Sequence, residues 1–139
     1  MARQGVYERA RYAGKIHMKY MLLTYLDEKA WLNLSDTEQQ LLMAECMPHV
    51  KELLASKTFL GGAPLHPTST AATVRLHDGK PLVTDGPFAE TREQLGGYAL
   101  IEAKDMDEAI RIAGGFLGTS SPVMIEIRAV AEVKGLPTH

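Results

Sequence analysis

Twice in this chain a strand-like apolar run is followed by a tetrapeptide that starts a helix, and this order restricts the available folds most. Lys19-Tyr-Met-Leu-Leu-Thr-Tyr-Leu26 is a compact apolar and aromatic run, the pattern of a strand. A linker follows from Asp27 to Leu34, with the single tryptophan, Trp31. Ser35-Asp-Thr-Glu38 then has the form of a capping box. Its serine can accept from the Glu38 backbone, and Glu38 can reach back to Ser35. The spacing predicts a helix to about Lys57, with Leu42, Cys46, His49, Val50 and Leu53 on one face. Pro48 removes one hydrogen bond inside it and is expected to kink it near Ala44.

The second strand-and-cap unit is Tyr98-Ala-Leu-Ile-Glu-Ala103, then Asp105 with Glu108. The helix it opens is expected to bury Met106, Ala109, Ile110, Ala113 and Leu117. Gly114 and Gly115 weaken its end by roughly 1 kcal/mol each relative to alanine. Between the two units lie three shorter strand-like segments. Phe59 to Leu65 is broken by glycines. Thr73 to His77 alternates and turns at Asp78-Gly79 into Pro81 to Thr84. Asp85-Gly-Pro87 is a further turn. Pro122 to Val130 closes the series. In that last strand Val123, Ile125, Ile127 and Ala129 share a face suited to lie under helices. Met124, Glu126, Arg128 and Val130 share a mixed face, which commonly meets solvent, a partner sheet or a pocket. The order predicts an α+β fold: a ferredoxin-like antiparallel sheet with two helices on one face.

Composition excludes several function classes. The chain has 139 residues, enough for one domain with a real core. Its formal net charge of −2 offers no basic excess to neutralise a phosphate backbone, so no direct nucleic-acid binding is expected. One cysteine, Cys46, rules out an intramolecular disulfide and suits a reducing compartment. No apolar run reaches the roughly 18 residues of a membrane helix. Residues 1–17 are mixed and basic without periodicity, lack a signal peptide's apolar centre, and are expected to be a disordered or dispensable extension. The domain is expected over residues 18–130, with a tail over 131–139.

A longer pattern is specific. Thr70-Ala-Ala-Thr-Val-Arg75, Asp78-Gly-Lys80 and Val83-Thr-Asp-Gly-Pro-Phe-Ala-Glu-Thr-Arg-Glu-Gln-Leu-Gly-Gly-Tyr98 together resemble the signature of DGPF-domain proteins. These form a branch of the YCII-related family. With Met18-Lys-Tyr-Met-Leu-Leu23 and Glu126-Ile-Arg128, the resemblance covers about residues 18–130. It implies a ferredoxin-like fold that pairs as a dimeric α/β barrel, two sheets enclosing a space, in a bacterial cytoplasmic protein. It also implies a genetic link to extracytoplasmic-function sigma factors. Some other members resemble small-molecule enzymes with a histidine on the first helix and an aspartate as a catalytic pair. Here that helix carries Cys46 and His49.

Three residues are candidates for proton transfer. His49 lies on an apolar helix face, and imidazole is the side chain suited to proton transfer at neutral pH, although such histidines are more often hydrogen-bonded core residues. His66 lies on a loop, where sites are common. Asp85 is either a base or a turn residue bonded to its own backbone. Arg75, Tyr98, Glu126 and Arg128 lie on strands. If they share the face away from the helices, the two arginines could fork onto a carboxylate or phosphate. The plainer alternative is a Glu–Arg lattice. Gly61-Gly62 and Gly96-Gly97 lack phosphate-loop spacing and are expected to allow close backbone approach or bulges. No complete catalytic motif is present, and neither a metal nor a cofactor is expected. Three functions fit: a small-molecule-binding homodimer acting as an accessory to a sigma factor, a His–Asp enzyme acting on a small organic acid, or a structural interaction module.

Overall fold

In the computed structural model, residues 18–118 and 121–137 are described; the expected N-terminal extension, residues 1–17, lies outside them. The described residues form six strands: β1 Met18–Leu26, β2 Phe59–Pro64, β3 Ala72–His77, β4 Lys80–Asp85, β5 Gln94–Ala103 and β6 Met124–Ala129. Four α-helices accompany them among the described residues: α1 Glu28–Leu32, α2 Asp36–Glu45, α3 Met47–Ala55 and α4 Met106–Leu117, with a single 3-10 turn at Thr68–Thr70. The main sheet has the order β2-β5-β1-β6 with every neighbouring pair antiparallel. β1 and β2 therefore run the same way with β5 between them, and β5 and β6 do so with β1 between them. These are two interlocked split β-α-β units, consistent with a ferredoxin-like fold. β3 and β4 form a separate two-stranded sheet inserted between β2 and β5.

Alternation along β1 builds the core. Met18, Tyr20 and Leu22 face the helices and pack with Ala99, Ile101 and Ala103 of β5 and with Ala109 and Ala113 of α4. Ile125, Ile127 and Ala129 of β6 join them from the side expected. In α4 the buried stripe is shifted. Met106, Ile112 and Phe116 pack on the core, whereas Ile110 is exposed.

Local chemistry explains the helix ends. Ser35 caps α2 in a complete capping box: its hydroxyl accepts from Glu38 N at 3.1 Å, and Ser35 N donates to Glu38 at 3.3 Å. Ser35→Ala is expected to lower stability by about 1 kcal/mol, read by urea denaturation. At α4, Asp105 accepts from Glu108 N, but Glu108 reaches back to Lys104 N rather than to the cap residue. The expected single kinked helix over the first crossover is two helices. Pro48 cannot continue a hydrogen-bond ladder and instead occupies the first turn of α3, where no donor is needed. The break falls at Cys46, whose thiol donates to the Met43 carbonyl. The expected linker after β1 holds α1, capped by Asp27.

Both glycine pairs let strands approach. A Cβ on Gly62 would lie 2.5 Å from Tyr98 O, and one on Gly97 would lie 3.2 Å from Ala63 O. The register shifts between Phe59 and Gly61. β5 consequently runs through Gly96 and Gly97 and begins at Gln94, earlier than the side-chain pattern suggests.

Candidate functional site

The helices cover one face of the main sheet; the other is built by the residues between the core positions. Across β1, Met21 lies opposite Leu100 and Arg128, Leu23 opposite Tyr98 and Glu126, and Tyr25 opposite Met124. Residues paired directly across strands project to the same side. This open face thus has an aliphatic floor, Met21 and Leu23, half-buried, and Leu100, buried, with the more exposed Tyr98, Met124, Glu126 and Arg128 on its flanks. Tyr98 and Glu126 are separated by two strand spacings, roughly 10 Å.

Arg128 Nε donates to Glu126 Oε2 at 2.6 Å. That hydrogen bond, then the carboxylate's charge and a smaller contribution from Tyr25, raise the Arg128 pKa above the ordinary guanidinium value. Arg128 is a cation at neutral pH, as any guanidinium is, and it is paired with the Glu126 carboxylate. A guanidinium presents five N–H groups, so one contact at Nε leaves both amino groups as donors to an anion. The Tyr98 hydroxyl is half-exposed and has no hydrogen-bond partner among the described residues.

Of the residues singled out in the sequence, Tyr98, Glu126 and Arg128 share this face. Arg75 does not lie on this sheet: it is on β3, opposite Leu82 in the separate hairpin. Asp85 ends β4, opposite Ala72. The turn after it is held by Gly86, which has φ +90 and donates to Ala71 O at 2.7 Å. His66 is exposed on the loop after β2. Tyr25 was not anticipated. Its run is apolar on both faces, so periodicity alone did not separate it from the core, and its place emerges from pairing with Met124.

His49 lies on the helix side. Its Nε2 donates to the Ile112 carbonyl at 2.7 Å, and its ring meets Phe116 edge-on at 4.9 Å between centroids. Gly115 makes room, since a Cβ there would come within 2.3 Å of the imidazole. The glycine that weakens α4 is thus the seat of a histidine joining α3 to α4. His49→Ala is expected to cost about 2 kcal/mol, the sum of one hydrogen bond and one ring contact. Ligand affinity should be unchanged; thermal unfolding and calorimetry separate the two effects. Among the described residues no group of histidine, cysteine, aspartate and glutamate side chains could hold a metal ion. No described helix is long and apolar enough to cross a membrane.

The model of the YCII-related domain matches residues 18–134 of this chain. The chain belongs to the YCII-related family. This YCII-related protein is also similar to an uncharacterised protein of Rhizobium meliloti (strain 1021), at 38% identity over 96 residues, which is 69% of this chain and 77% of the relative. The domain match spans β1 to β6, and so includes the open face and the inserted hairpin alike.

Proposed function

We propose that this protein is a cytoplasmic homodimer of the DGPF branch that binds a small carboxylate-bearing molecule between two open sheet faces. The observation that carries the reading is the composition of that face. An aliphatic floor, buried at Leu100 and half-buried at Met21 and Leu23, is flanked by the Arg128 guanidinium and the Tyr98 phenol, the usual layout of a small-ligand site. Binding fits better than His–Asp catalysis because His49 is committed to the Ile112 carbonyl on the other side of the sheet. The resemblance to DGPF proteins supplies the setting, an accessory role beside an extracytoplasmic-function sigma factor.

The test is a panel of aliphatic and aromatic monocarboxylates, screened by thermal shift and quantified by calorimetry. A charge-assisted hydrogen bond of about 1.5–3 kcal/mol means that Arg128→Ala should weaken the best binder about tenfold or more. The fold should survive, because Arg128 is exposed. Equal affinity for the variant, or no binder in the panel, contradicts the reading.

A further inference from the structure

The open face is ordered in rows that cross β5, β1 and β6. One row is Tyr98, Leu23 and Glu126, and the next is Leu100, Met21 and Arg128. A row further on, Glu102 lies opposite Lys19, an acid facing a base. Leu100 is 7% exposed, whereas Tyr98 is 41% exposed and the Arg128 side chain 72%. The middle of the face therefore lies lower than Tyr98 and Arg128, which stand at diagonally opposite corners of the two rows.

The two corners hold different groups. At Arg128 the Glu126 carboxylate occupies Nε at 2.6 Å. What is left is the edge formed by the two terminal amino groups, which matches the two oxygens of one carboxylate. At the other corner the Tyr98 phenol donates or accepts one hydrogen bond. Its neighbours across the strands are Leu23 and Ala63, so a charge brought there would find no counter-charge on either side. An apolar group laid over the hydroxyl would strip it of water without replacing the bond. An uncharged polar group suits this corner best.

The register also sets a length. Arg128 and Tyr98 are two strand spacings apart across the sheet and two residues apart along it, about 12 Å between Cα atoms. With both side chains upright, a hydrogen bond of roughly 2.9 Å at each end leaves about 6 Å. An extended carbon chain covers that span in about five bonds.

We infer that the ligand is a two-ended monocarboxylate. Its acid group forks onto the Arg128 amino groups, its apolar body lies over Met21 and Leu23, and an uncharged hydrogen-bonding group about five bonds away meets the Tyr98 hydroxyl. The inference rests on the carboxylate-binding reading and names the class of ligand within it. It uses residues of one chain only.

Calorimetry on the full chain tests this with three acids: pentanoate, 5-hydroxypentanoate and 2-hydroxypentanoate. The two hydroxy acids have one composition, and only the first carries its hydroxyl far enough to reach Tyr98. The wild-type protein should prefer the 5-hydroxy isomer about fivefold or more, the scale of one hydrogen bond. Tyr98→Phe should bring the isomers within about twofold of each other and leave pentanoate within about twofold of its wild-type affinity. Arg128→Ala should weaken all three about tenfold. An unchanged thermal unfolding midpoint reports that each variant is folded. If Arg128→Ala weakens binding but the isomers bind alike, or their difference survives Tyr98→Phe, the acid is held at one end only. The inference then falls and the carboxylate reading stands. If none of the three binds, the inference falls, and the carboxylate reading falls with it where the whole monocarboxylate panel is also silent.

Discussion

Gly62→Ala is expected to lower stability by about 3 kcal/mol, the upper range for forcing extra volume into a packed site. The added Cβ would sit 2.5 Å from Tyr98 O and 2.9 Å from Ala99 Cα. Both obstacles are backbone, so no rotamer change relieves them, and β2 would have to draw away from β5. Gly61→Ala is the control. A Cβ there meets nothing within 4 Å, and the expected change is within about 0.5 kcal/mol. Urea midpoints at constant m-value compare the two. Equal effects would mean that the second glycine is there for flexibility, not for close approach.

Leu23→Lys should act on association. Leu23 lies at the centre of the open face, between Tyr98 and Glu126. In the monomer a lysine there can reach the Glu126 carboxylate, so the fold should tolerate it. In a dimer of facing sheets two such cations are brought together and stripped of water. We expect the dissociation constant to rise roughly 100-fold, about 2.7 kcal/mol. Unchanged association would place the interface elsewhere on the molecule.

What was legible in the sequence was mostly local. The Ser35 cap and the Asp78-Gly79 turn each depend on residues within one turn of chain, and each is found where the pattern puts it; Pro48 does interrupt the first crossover, but by separating two helices at Cys46 instead of kinking one near Ala44. The faces of β6 were legible for the same reason, since strict alternation needs no partner to be read. α1 is only five residues long, too short for a periodic pattern, although Asp27 marks its start. In α4 the buried stripe runs through Phe116 instead of Ile110, because the packing of His49 over Gly115 helps set which side of the helix meets α3. That contact joins residues far apart in sequence.

The candidate site divides in the same way. Glu126 and Arg128 could be grouped from alternation alone, whereas Tyr98 joins them through the pairing of both strands with Leu23. Arg75 could not be placed, because its strand reads like any other until pairing shows that β3 and β4 join only each other. The glycines of β5 look like strand breakers by propensity. They are strand residues because Gly97 pairs with Thr24 on one side and Pro64 on the other.

In the proposed homodimer the open face is covered by a second copy of the chain. Sedimentation velocity of the unmodified protein at micromolar concentration tests it most directly. The account predicts a single species of about twice the 15.3 kDa chain mass, with an interface near the standard size. A lone 15.3 kDa species across the micromolar range would contradict it.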